Sequence, residues 1–223
     1  MADSWKVKPT SGGGDWELPP AGNMAAVCVA LIDLGTQQDA YMGKPKDTHQ
    51  LVIVWELAGM VSSKTGKNHL VCDKFNVSLN QKANLRKMLE SWRGAPIKDD
   101  EEFDVFKIVG ATCLLNVSHD KTNGGNDIYC ITAVTRLPHG MPVPKATYPL
   151  IRYRIGDGPN QIPRHEWLPL VYGKKIGDIV AGCIEFRPTA RAPQQPPSAP
   201  KNAGDAFEIE PGPPMGSEEQ IPF

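Results

Sequence analysis

Tyr41, Lys44, Lys46, Trp55, Lys74, Phe75, Lys121 and Tyr129 interleave flat aromatic rings with ammonium groups along the N-terminal part of a 223-residue chain. The two side-chain types suit a ligand that is both anionic and planar. Ammonium groups track phosphates and ring faces stack bases, each stacked base contributing roughly 1–3 kcal/mol without demanding a sequence. Charge distribution agrees: between Tyr41 and Arg93 nine Lys and Arg face four Asp and Glu, a local +5 inside a chain of net charge −1, which is a polyanion footprint. Tyr41 sits in a polar stretch with no packing reason to be there, and is assigned to the contact surface. Trp55 and Phe75 lie in strand-like runs whose alternation does not say which face they use, so core and ligand face both stay open. Arg86 shares the polar side of a helical segment with Lys82 and Arg93, where phosphate contact and plain solvation are equally good accounts.

Catalytic signatures do not compete with this. The chain has no G-x-S-x-G, H-E-x-x-H or G-x-x-x-x-G-K-[ST] pattern. The nearest phosphate-loop match, GMVSSKTGKN, has the wrong glycine spacing and Asn68 where Mg²⁺ coordination needs a hydroxyl. The acids Asp99–Glu102 complement a helix start more readily than they hold a metal. Cys28, Cys72, Cys113, Cys130 and Cys183 form no C-x-x-C pair and mostly sit in apolar runs, as reduced core cysteines do. No catalytic residue, metal or cofactor is therefore expected.

The elements that must position the rings and cations follow from periodicity. NMAAVCVALIDLG reads as a strand ended by Gly35, TQQDAYMGKPKDTH as a polar loop, and QLVIVWELA and NHLVCDKFNVS as further strands. The period then changes. In SLNQKANLRKMLESWRGAP, Leu85, Met88, Leu89 and Trp92 recur at i, i+3, i+4 and i+7, one buried helical face. Ser78 and Gln81 are placed for a capping box, and Gly94 followed by Pro96 marks the stop. DDEEFDVFKIVG suggests a second short helix burying Phe103 and Phe106. ATCLLNVSH and DIYCITAVTRL are strands joined by the Gly-Asn-rich DKTNGGN. Three strands, a helix and two strands is the order of an OB-fold, a five-stranded partly open barrel whose ligand lies across strands two and three and the flanking loops.

The expected organisation is a lead-in over 1–17, an all-β OB barrel with a minor helix over 18–137, an extension packed on the barrel over 138–187, and a tail over 188–223. Within the extension YPLIRYRIG suggests an added strand and LPLVYGKKIGDIVAGCIEF a short helix. The tail has nine prolines and reads as disordered. No run approaches the roughly 20 apolar residues of a membrane span, and MADSWKVKPT lacks the apolar stretch of a secretory signal. A soluble cytoplasmic protein is expected.

The final residues GSEEQIPF resemble the C-terminal tip of bacterial single-stranded DNA-binding proteins, which end in acids followed by Ile-Pro-Phe after a Pro/Gly/Gln-rich linker. Glu218 and Glu219 stand where that family has aspartates, Gln220 breaks the acidic run, and Ile221, Pro222 and Phe223 match. Over about 18–137 the stretches LPPAG, LIDLGTQ, GKPK, VSLNQKANLRKMLESWRG and LLNVSH resemble phage-encoded OB-fold single-stranded DNA-binding proteins. That resemblance implies non-catalytic coating of exposed strands in phage replication or recombination, in the host-cell cytoplasm. It also implies recruitment of replication or recombination proteins through Glu218, Glu219, Ile221, Pro222 and Phe223. An annealing accessory and a protein-interaction adaptor are the alternative functions, and homo-oligomerisation is open.

Overall fold

The computed structural model describes residues 17–41 and 43–187, without the side chains of residues 39–41. The expectations for the lead-in before residue 17 and for the 188–223 tail lie outside the described residues. Five strands, β1 (Gly22–Tyr41), β2 (Lys44–Val61), β3 (Asn68–Asn76), β4 (Thr112–Lys121) and β5 (Asp127–Thr135), form an antiparallel sheet in the order β3-β2-β1-β4-β5. A sixth, β6 (Ile151–Tyr153), pairs in parallel with Ala30–Ile32 of β1. The protein is thus mostly β, with helix α1 (Asn84–Arg93) between the third and fourth strands. Among the described residues β3 and β5 share no ladder, so the sheet does not close. One side chain bridges that seam, the Tyr129 Oη accepting the Cys72 N–H at 2.9 Å.

Why β2 reads as an unbroken apolar run is answered by its two covers. Gln50 through Leu57 are all buried, whereas an antiparallel strand with one wet face would alternate. Leu51, Ile53, Trp55 and Leu57 face one core, with Leu31, Val71, Leu85, Leu89, Trp92 and Leu115. Val52 and Val54 face a second core with Val29, Ile32, Leu34, Tyr153, Val171, Ile176 and Val180. The second core is built by the extension, which adds β6, a hairpin of β7 (Leu170–Val171) and β8 (Lys174–Lys175), and helix α2 (Ile176–Ala181). Strand β1 likewise alternates between the two cores, and the register shift between Cys28 and Ala30 changes its phase, so that Ala26 and Cys28 before it and Leu31 after it face the first core.

Two carboxylates fasten the extension to the sheet. Glu56 is 1% exposed and accepts from Asn68 Nδ2 at 2.6 Å, Thr147 N at 2.8 Å, Thr147 Oγ1 at 2.6 Å and Tyr148 N at 3.2 Å; a buried charge so fully bonded escapes the cost of an unpaired one. Glu185 accepts from Thr36 N at 2.9 Å and Thr36 Oγ1 at 2.6 Å. Burial alone would raise its carboxyl, but these bonds outweigh burial and hold it at about 2. Beside it Gly35 has φ +68°, and a Cβ there would meet the Cys183 Cβ at 2.8 Å. Gly35 therefore does not end the strand as expected. It sits at a second register shift, after which β1 runs on to Tyr41 paired with Lys44, turning the expected polar loop into a two-stranded arm.

Helix α1 begins later than its expected capping box. Its N-cap is Ala83 with no side-chain bond, and it ends at Gly94 in the left-handed conformation (φ 72°) with the Gly94 N–H on the Glu90 carbonyl. The second helix is a single 3-10 turn, Val105–Ile108, with Phe103 and Phe106 partly buried against the first core. Among the described residues no helix is long and apolar enough to cross a membrane.

Candidate nucleic-acid interface

The unpaired edges of β3 and β5 leave a groove of about 830 Å³ that α1 flanks. Helix α1 turns Leu85, Leu89 and Trp92 into the core, which leaves Lys87 and Ser91, one turn apart, on the groove side with Asn84 and the preceding Lys82. Lys74, Phe75 and Asn76 of β3 form one wall and Ile131–Val134 of β5 another, and Tyr172 lines the rim. Lys74, Lys82 and Lys87 outnumber the one lining acid, Asp73. Burial raises the Asp73 carboxyl, against the Lys74 N–H that it accepts. A slot with three ammonium groups, hydroxyl and amide donors and a partly apolar floor of Phe75 and Met88 can hold a chain of phosphates with its bases turned inward.

The structure distributes the expected contact residues over three places. Lys74 belongs to the groove and half-buries its stem, its Nζ 5.3 Å from the centre of the Tyr172 ring. Phe75 shows only an edge there, at 8% exposure, because its ring fills the first core. Tyr41, Lys44 and Lys46 lie at the tip of the β1–β2 arm. That arm leaves the sheet beside the Gln50–Asn76 pair at the groove's end, and six residues of strand put its tip about 20 Å beyond. Lys44 and Lys46 are exposed, while the side chain of Tyr41 lies outside the described residues. Lys121 is on the β4–β5 hairpin, its Nζ 3.8 Å from Asp127.

Three of the expected contacts are taken up inside the fold. Trp55 has no exposed surface and packs on Trp92 with ring centres 6.0 Å apart, so it offers no face to a base; β2 is covered on both sides, and either orientation would have buried it. Arg86 is held inside the protein rather than left on the solvated side of the helix. Its guanidinium donates to Glu90 Oε1 at 2.9 Å, the Leu79 carbonyl at 3.1 Å, Asp99 Oδ1 at 2.7 Å and the Ile97 carbonyl, clamping the helix to the segments on either side. Tyr129 is half-buried in the β3–β5 seam, where burial raises its pKa and its oxygen serves the Cys72 amide.

Sequence reasoning missed Tyr172, Lys87 and the β5 wall. Val-Tyr-Gly-Lys-Lys offered one turn residue, Gly173, but Tyr172 stands where a two-residue hairpin selects Asn, Asp or Gly, so the turn left no standard signal in the sequence. Comparison with protein-family models and with curated proteins finds no match.

Proposed function

We infer that the chain is a sequence-tolerant single-stranded DNA-binding protein of the OB type, coating exposed strands in phage replication or recombination without catalysis. The observation that carries this reading is the groove between β3, β5 and α1, where Lys74, Lys82 and Lys87 surround a partly apolar floor. The strand order and the position of α1 support the OB reading, and Tyr129 joins β3 to β5 where a barrel of that kind would be completed. In such a barrel the ligand crosses strands two and three. Here the extension covers the outer face of Val52, Val54, Leu70 and Cys72, which directs a ligand to the uncovered end of β3 at Lys74–Asn76, and from there along the arm toward Lys44 and Lys46. Recruitment of replication or recombination proteins through Glu218, Glu219, Ile221, Pro222 and Phe223 belongs to the same proposal and rests on sequence alone.

The test is a titration of labelled oligo-dT followed by anisotropy, beside duplex DNA and RNA of equal length. Affinity for oligo-dT is expected to fall linearly with salt on logarithmic axes, with a slope of about −0.7 per phosphate neutralised. Replacing Lys82 and Lys87 together by Glu should weaken binding and flatten that slope. Equal affinity for duplex, or a slope unmoved by the double replacement, overturns the reading.

A further inference from the structure

The hairpin of β7 and β8 closes with two residues only, because Val171 pairs with Lys174. Those residues, Tyr172 and Gly173, both have left-handed backbones, at φ 49° and φ 76°. A two-residue turn with positive φ at both positions selects Asn-Gly, Asp-Gly or Gly-Gly, and a bulky side chain there carries a steric cost that these residues avoid. Tyr172 is the one non-glycine residue with positive φ among the described residues.

Packing does not compensate it. Tyr172 is 82% exposed, more than any other large hydrophobic or aromatic residue exposed among the described residues. Strain held at an exposed position without packing directs attention to a ligand. The hairpin stands over the groove end of β3: Cys72 Sγ is 3.8 Å from the Leu170 carbonyl, and Tyr172 lines the groove with Lys74 beside its ring. Lys174 and Lys175 follow at once and are exposed. The aromatic face that Phe75, buried in the first core, cannot give the groove is therefore presented here, and by the extension.

We propose that the 170–175 hairpin is a stacking finger: Tyr172 lays its ring on a base of a single strand held in the groove, and Lys74, Lys174 and Lys175 neutralise the phosphates on either side. This rests on the single-strand-binding reading above and assigns the extension a direct part in it.

Tyr172→Gly separates stacking from folding, because glycine relieves the left-handed backbone while removing the ring. The variant should melt at the same temperature as the parent or higher, yet bind oligo-dT about 5- to 150-fold more weakly, the loss of one stacked base. Tyr172→Phe should rescue binding. On an oligomer of abasic deoxyribose phosphate of equal length, parent and Tyr172→Gly should bind alike. If the parent binds oligo-dT and Tyr172→Gly binds it equally well, the finger is wrong and the groove reading stands. An equal loss on the abasic oligomer also overturns stacking. If the parent binds no single strand, the underlying reading fails and the finger with it.

Discussion

Asp73 is an acid set among the groove lysines, and its effect on binding can be separated from its effect on folding. Burial raises its pKa, so over the interval between the ordinary aspartate value, about 3.9, and the raised one the folded chain holds a proton that the unfolded chain has released. Stability therefore falls as pH rises through that interval. Asp73→Asn should remove this dependence while its amide oxygen still accepts the Lys74 N–H. In the groove it removes one negative charge, and oligo-dT should bind about two- to threefold more tightly, the size of a unit charge acting through water over several ångströms. The gain should shrink as pH is lowered and the parent's Asp73 protonates; a gain constant with pH would contradict this account. Trp55 behaves oppositely. Trp55→Ala should destabilise the fold by about 3–5 kcal/mol, read from urea midpoints, whereas Trp55→Phe should keep most stability and all of the DNA affinity, because the buried Trp55 Nε1 has no hydrogen-bond partner to lose.

At the scale of elements, the extension is held by discrete carboxylate contacts, and Glu185 makes one of them testable. Its pKa is depressed, so it adds stability above the ordinary carboxylate range, and that stability is lost as pH falls toward about 2. Glu185→Gln should cost about 1.5–3 kcal/mol at neutral pH, the value of hydrogen bonds to a charged acceptor. The gap to the parent should narrow in acid, as seen in urea midpoints at the two conditions. The elements that the sequence made legible are those that bury one periodic face or one continuous run: α1 through Leu85, Met88, Leu89 and Trp92, and β2 through Leu51–Leu57. The β1–β2 arm was illegible because neither TQQDA nor KPKDTH carries an apolar alternation. Ser78 and Gln81 mimic a capping box, yet Ser78 Oγ accepts from Asn80 N at 3.3 Å in a turn that precedes the helix. The site divided along the same line. Lys74 could be located from its strand, while Tyr172 depends on a two-residue turn that apolar periodicity does not register.

Across the described residues as a whole the sheet is the middle of three layers, with α1 and the first core on one side and the extension on the other, an arrangement in which each layer needs the next to cover its apolar face. This bears on whether 18–137 can stand alone. Ending the chain at Leu137 would strip the cover from Val29, Ala30, Ile32, Leu34, Val52 and Val54, all fully buried. Each larger aliphatic side chain loses about 1.5–3 kcal/mol on exposure, and together they exceed much of the 5–15 kcal/mol that holds a typical domain folded. The truncation would also take the β6 ladder from β1 and leave Glu56 with Asn68 as its one remaining donor of those described above. A fragment of residues 18–137 is therefore expected to bind a hydrophobic dye and to melt without a cooperative transition, while a fragment of residues 17–187 keeps both the transition and the affinity for oligo-dT. Circular dichroism melts and dye fluorescence on the two fragments decide it. A cooperative melt of the shorter fragment close to that of the longer one would mean that the extension is an accessory to a self-sufficient sheet and helix, and the second core would then add little to the stability of the fold.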